Sequence, residues 1–202
     1  MHGAGVVVAA LLGYLLGSLP SADLASRLST RGRVDLRAAG TGNPGATNAA
    51  KVLGARWGAA VLVVDIAKGV GAGFARSALG GDAGALLAAA LVIAGHILPP
   101  WSRFRGGKGV ATAAGSCLAV FPGYFPIFIA LAAAMAAVSR RAELITQVSG
   151  AAWIVAAIVW WAASLPNAWG PEPGFGLLAF VLAASVMIIV KFAFTHRAPL
   201  PA

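Results

Sequence analysis

The chain has 202 residues, a mean hydropathy of +0.85 and only 10% charged residues, where a soluble domain would carry roughly a quarter; this excludes a globule dissolved in water and makes lipid the main solvent. The formal charge is +9, from 15 Lys+Arg against 6 Asp+Glu. That excess suits a membrane surface or an anionic substrate, while the long apolar runs argue against nucleic acid as a partner.

A bilayer-spanning helix needs about 20 apolar residues, and seven stretches qualify in chain order. The first is Ala4–Ala25, read as a retained membrane helix because the N-terminus lacks the basic region of a signal peptide. The second, Ala55–Leu79, contains Asp65 and Lys68. The third is Ala83–Leu98. The fourth and fifth, Gly109–Phe121 and Tyr124–Val138, are short, and Pro122-Gly123 with Pro126 predict a tight turn between two helices, not one long helix. The sixth is Leu144–Leu165 and the seventh Phe175–Phe194. The expected fold is therefore an all-α integral membrane protein, a single domain over residues 1–202.

Charge placement orients these spans. Arg27, Arg31, Arg33, Arg37, Lys51 and Arg56 flank the first loop, Arg103, Arg105 and Lys108 the third, Arg140 and Arg141 the fifth, and Lys191 and Arg197 the C-terminal end. All fall on one side, with Arg76 alone on the other. The positive-inside rule makes the rich side cytoplasmic, so the N-terminus lies outside and the C-terminus inside. Trp160, Trp161 and Trp169 suit an aromatic belt at the outer interface. Cys117, the lone cysteine, has no partner for an intrachain disulfide and reads as a small buried hydrophobe.

Against this apolar background the cytoplasmic side holds two polar, glycine-rich segments, GTGNPGATNAAK (Gly40–Lys51) and GHILPPWSRFRGGKGVAT (Gly95–Thr112), and two shorter ones containing Ser139 and His196-Arg197. Backbone amides, hydroxyls and cations with few carboxylates make an anion site, phosphate above all. In the first segment Gly42 and Gly45 permit positive φ, so that amides converge as a nest. Thr41, Asn43, Thr47 and Asn48 add donors and Lys51 a charge. The plainer alternative is a polar loop capped by Thr47 or Asn48. Gly106-Gly107-Lys108-Gly109 is no Walker A motif, because Gly109 stands where that pattern needs a hydroxyl residue. A glycine-flanked lysine at a helix start is still a compact phosphate clamp. His96 is either a structural donor or a general base. Asp65 and Lys68, three apart on one helix face, are functional candidates as intramembrane charges or a mutually neutralising structural pair.

GTGNPGATNAAKVLG resembles the GSGNxGATNxxR motif of the bacterial acyl-phosphate:glycerol-3-phosphate acyltransferases. GHILPPWSRFRGGKGVATAAG resembles their GHxxPxFxxFKGGKGVAT motif, and LLGYLLGSLPSADLASR and VVDIAKG are similar to their first helix and DxxKG stretch. The resemblance implies a seven-helix enzyme of the bacterial plasma membrane with its active site at the cytoplasmic face. It implies a reaction in which the sn-1 hydroxyl of glycerol 3-phosphate attacks the carbonyl of an acyl phosphate, giving lysophosphatidic acid and inorganic phosphate. No cofactor, metal or obligate protein partner is implied. Catalytic duty would fall to His96, Lys108 and Asn48. Substrate binding would fall to Thr41, Gly42, Asn43, Gly45, Thr47, Lys51, Arg105, Gly106, Gly107, Ser139, His196 and Arg197. The HxxxxD arrangement of other glycerolipid acyltransferases is absent, since Trp101 stands five residues after His96. Departures from the family pattern are Thr41 for Ser, Lys51 for Arg, Arg105 for Lys, and Pro199 at the Asn of the C-terminal HRxN. They keep open a paralogue with another phosphorylated acceptor, or a non-catalytic binder or transporter of anionic lipid or phosphate.

Overall fold

Alanine, glycine and leucine dominate the long runs, and such residues form helices whose backbone polar groups are satisfied internally, as lipid requires. The computed structural model describes residues 2–73, 79–139 and 141–195. Among these residues it is all-helical: α1 His2–Ser18, α2 Ser21–Thr30, α3 Ala46–Leu53, α4 Ala55–Gly73, α5 Gly81–Ile97, a 3₁₀ turn at Pro100–Ser102, α6 Val110–Val120, α7 Phe125–Val138, α8 Ala142–Ala162 and α9 Phe175–Thr195. Four stretches are long and apolar enough to cross a bilayer: Gly3–Thr30, Gly81–Ser102, Ala142–Ala162 and Phe175–Thr195. Two more, α6 and α7, are apolar but short, and they meet at the expected turn, where the Tyr124 amide donates to the Phe121 carbonyl at 3.2 Å.

The first expected helix needs correction. It does not run unbroken to Ala25, because Pro20 lacks an amide donor and α1 stops at Ser18. The chain restarts as the amphipathic α2, which buries Ala22, Ala25 and Ser26 and exposes Leu24, Arg27 and Leu28. The second expected helix is described as far as Gly73, and Arg76 and Arg140 lie outside the described residues.

The core of the bundle is built on small residues. α1 lies along α5 and α4 along α6. A Cβ at Gly17 would collide with the Val92 carbonyl, and one at Gly95 with that of Tyr14. Gly69 and Gly115 stand in the same relation to Thr112 and Ile66. Backbones this close gain dispersion contacts that lipid cannot supply. Around them Val92, Ile93, Val120, Phe121 and Cys117 are fully buried, while Val7, Leu11, Leu12, Val63, Val155 and Val186 face outward, as expected where the surrounding solvent is hydrocarbon.

Candidate active site

The loop entering α3 is organised by Asn48. Its amide nitrogen donates to the carbonyls of Leu36 and Ala39, both at 2.9 Å, and its Oδ1 accepts the Thr41 amide at 2.7 Å. Asn48 is buried, so its side chain holds the loop's backbone together. Both of its amide hydrogens are committed to backbone carbonyls. Gly40 makes room for it: φ there is +62°, and a Cβ would strike Asn48 Oδ1.

The expected nest is only half present. Gly42 has φ +71°, but Gly45 is extended at φ −148° and serves as the N-cap of α3, a role the sequence reading gave to Thr47 or Asn48. The amides of Gly42 and Gly45 already donate to Ala39 and Asn43. The amides of the first turn of α3 carry the helix's partial positive charge. Asn43 Oδ1 is buried without a hydrogen-bond partner among the described residues.

The second glycine-rich segment folds against the first. The Gly106 amide donates to the Ile97 carbonyl at 3.1 Å, and a Cβ on Gly107 would come within 2.9 Å of the Pro44 carbonyl and collide with His96 Nε2. Arg37 ties the two loops together. Its Nε donates to the Arg105 carbonyl at 2.8 Å, and its two terminal nitrogens grip Asp23 at 2.6 and 3.1 Å. Burial pushes the Arg37 guanidinium down, but the bonds and charges of Asp23 and Asp35 outweigh it and hold the group above its ordinary value. Ser21, Asp23, Arg37, Pro44, His96, Gly106 and Gly107 together line a cavity of about 20 Å³. Next to it opens a cleft of about 390 Å³ rimmed by Arg27, Arg37, Arg103 and Arg105.

Lys108 follows Gly107 at the entry to α6. Its Nζ lies 3.9 Å from the centroid of the Phe192 ring of α9, a cation–π contact that holds the charge in place. Burial pulls its ammonium below the ordinary lysine value, with partial compensation from the charge of Glu143 on α8. His96, on the last turn of α5, is buried with Nδ1 3.5 Å from Asp65 Oδ1. The same Asp65 oxygen accepts Lys68 Nζ at 2.9 Å and Ser21 Oγ at 2.6 Å.

The structure thus brings together His96, Gly106, Gly107 and the Pro44 turn of the first loop, with Lys108 next in the chain. It leaves Thr41, Thr47 and Lys51 exposed. Arg105 joins the site through its carbonyl, while its side chain rims the cleft. Ser139 ends α7 and accepts the Arg141 amide with its hydroxyl at 3.1 Å. His196 and Arg197 lie outside the described residues. Sequence reading missed the roles of Arg37, seen only as a flanking charge, and of Glu143. The signal for Arg37 was available in Asp23 and Asp35, two of only six carboxylates in the chain.

The sequence and the fold have counterparts among known proteins. The model of the family described as "Glycerol-3-phosphate acyltransferase" matches residues 7–200. A glycerol-3-phosphate acyltransferase of Rhodopseudomonas palustris (strain BisB5) is 39% identical over 158 residues, 78% of this chain and 79% of that one. One from Geobacillus kaustophilus (strain HTA426) is 34% identical over 189 residues, 93% and 87% of the two chains. Among solved structures, the glycerol 3-phosphate form of PlsY, an integral membrane glycerol 3-phosphate acyltransferase, superposes with a TM-score of 0.75 at 28% identity, covering 94% of this chain and 88% of that one. Its lysophosphatidic acid form gives 0.73 at 27%, covering 95% and 88%. With its all-helical bundle, its two joined glycine-rich loops and nearly its whole length matched, this chain belongs to the glycerol-3-phosphate acyltransferase family.

Proposed function

We propose that this protein transfers an acyl group from an acyl phosphate to the sn-1 hydroxyl of glycerol 3-phosphate, forming lysophosphatidic acid and releasing inorganic phosphate. We read it as one domain of seven spans in a bacterial plasma membrane, with the N-terminus outside and the site at the cytoplasmic face. The observation that carries the reading is the junction of the two glycine-rich loops through Arg37 and Gly107. In support of it, Pro44, His96, Gly106 and Gly107 line one small cavity, with the arginine-rimmed cleft beside it and Lys108 next in the chain.

Both substrates carry phosphate, and an acyl phosphate is already activated. The protein's task is to hold two anions that repel one another and to orient a hydroxyl toward a carbonyl. Lys108 is suited to the phosphate that leaves: its charge is fixed by Phe192 and half-removed from water, where its field is strongest. The first-turn amides of α3 suit the second phosphate, and the unpartnered Asn43 Oδ1 suits a glycerol hydroxyl. Arg27, Arg103 and Arg105 around the open cleft would concentrate an anionic acceptor at the entrance. No metal or cofactor enters this scheme. Purified protein in detergent should release phosphate from palmitoyl phosphate only when glycerol 3-phosphate is added, with lysophosphatidic acid formed in equal amount. Phosphate release independent of the acceptor, or a different phosphorylated acceptor supporting turnover, would replace this reading.

A further inference from the structure

Basic residues near the bilayer surface are expected of a membrane protein, but nothing requires them to converge. Here they do. The cleft of about 390 Å³ beside α2 is lined by Arg27, Arg37, Arg103 and Arg105 against only Asp23 and Asp35. Both carboxylates are engaged by Arg37, at 2.6 and 3.6 Å. Arg27, Arg103 and Arg105 are exposed and make no ion pair among the described residues. Four positive charges facing two negative ones leave the cleft a surplus of two.

The surroundings of that charge are apolar. One face of α2 is buried, another turns Asp23 and Arg27 to the cleft, and a third carries Leu24 and Leu28, both more than half exposed. On the other lining segment, residues 101–105, Trp101 and Phe104 are also more than half exposed. Trp101 is fixed there, its Nε1 donating to Ser18 Oγ at 3.0 Å at the end of α1. Phe104 stands in a turn made by two successive left-handed residues, Arg103 at φ +53° and Phe104 at +61°. Neither is a glycine, and such a backbone is costly unless the position it produces is used. Aromatic and aliphatic side chains beside guanidiniums suit a membrane interface, with rings at headgroup depth and cations at lipid phosphate.

We propose that this cleft binds the headgroup of an anionic phospholipid, with the phosphate between Arg27 and Arg103 and the acyl chains against Leu24, Leu28 and Phe104. The site goes beyond acyl transfer and does not depend on it. The same field gathers a free anion at the entrance, and the apolar rim is what singles out a lipid. Arg37 connects the cleft to the rest of the molecule. It lines the cleft and also donates to the Arg105 carbonyl at 2.8 Å, so a bound headgroup rests beside the residue that joins the two glycine-rich loops.

The test uses the full chain in a neutral detergent, without acyl donor. It is titrated with phosphatidylglycerol or phosphatidylcholine of identical chains, and retained lipid is counted by native mass spectrometry. Both lipids are phosphate diesters unlike the product of acyl transfer, and only the first is net negative. Wild type should prefer phosphatidylglycerol by on the order of 30-fold, the scale for two basic residues at an anionic headgroup. Arg27→Gln/Arg103→Gln should erase that preference, while Leu24→Ser/Leu28→Ser should weaken both lipids alike. Should the arginine variant not fold, salt at about 0.5 M on wild type serves instead, since screening of exposed charge should erase the preference too. Equal retention of the two lipids by wild type, a folded arginine variant that keeps the preference, or a preference that survives salt overturns the proposal. Displacement of phosphatidylglycerol by glycerol 3-phosphate at equal concentration also overturns it and assigns the cleft to the free phosphomonoester. No step of acyl transfer enters these measurements, so an inactive wild type defeats only the substrate reading.

Discussion

The bundle has a tight half and a slack half. In the tight half α1, α4, α5 and α6 touch backbone to backbone through Gly17, Gly95, Gly69 and Gly115, and the two glycine-rich loops hang from their ends. In the slack half α7 has no buried residue. A cavity of about 70 Å³, lined by Ala113, Phe128, Ile145, Trp153 and Ile188, separates α6 and α7 from α8 and α9. Ser149 Oγ, Ser185 Oγ and Trp153 Nε1 border that cavity without hydrogen-bond partners. The difference is one of task. A phosphate site needs donors held within fractions of an ångström, and close backbone contact provides that rigidity. The seam beside α7 is held by side chains instead, among them Phe128 and Trp153, which can shift.

The sharpest way to break the comparison is Lys108→Ala. Lys108 bridges the halves, standing at the entry to α6 of the one and resting on Phe192 of the other. Acyl transfer should fall about 10³-fold, the scale for removing one preorganised charge at a developing anion, with little change in detergent melting temperature. Near-normal turnover would move the phosphate clamp elsewhere.

Next comes packing itself. Gly115→Ala should cost about 1–3 kcal/mol, because the new methyl would meet the backbone of Ile66 and Val70. Gly150→Ala in the slack half meets its first neighbour, Ser185 Oγ, at 3.6 Å and should change stability by less than about 0.5 kcal/mol. Thermal unfolding of both in the same detergent checks the contrast, and equal losses would abolish it.

A smaller effect concerns pH. Lys108 must be charged to hold phosphate, so activity is present below its folded-state pKa and lost as pH rises through it. Burial already brings that pKa below the ordinary lysine value. Glu143→Gln removes the charge that partly restores it, and the alkaline limb of kcat/KM should shift to lower pH. A limb that stays in place would separate Glu143 from Lys108. The smallest effect is expected of Lys51→Arg, about two-fold in kcat/KM for glycerol 3-phosphate. A guanidinium fork grips phosphate better than a point charge, but Lys51 is exposed at the edge of α3.

Much of the molecule was legible along the chain. Apolar runs revealed the long helices, since length and hydropathy are local properties. The proline pair announced the turn between α6 and α7. The two glycine-rich segments were visible as anomalies of composition, and Lys108 as a cation that its glycines singled out. Less legible were the break at Pro20, since a count of apolar residues carries the first helix past it, and the division of labour inside the first loop. Asn48 looked like a donor for substrate, because nothing in sequence shows that its amide is consumed by Leu36, Ala39 and Thr41. Gly45 looked like a nest residue and is a helix start.

By itself, the sequence determined that this chain needs lipid, that it is helical, and which short segments are polar enough to meet phosphate, because each of these follows from residues adjacent in the chain. Only the tertiary structure decided that Arg37 joins the two loops, that Glu143 and Phe192 attend Lys108, and that Asp65 faces His96 instead of serving Lys68 alone. Those contacts join helices whose order in space is set by where glycine and alanine let backbones meet, and that is a property of surfaces in contact rather than of neighbours in the chain.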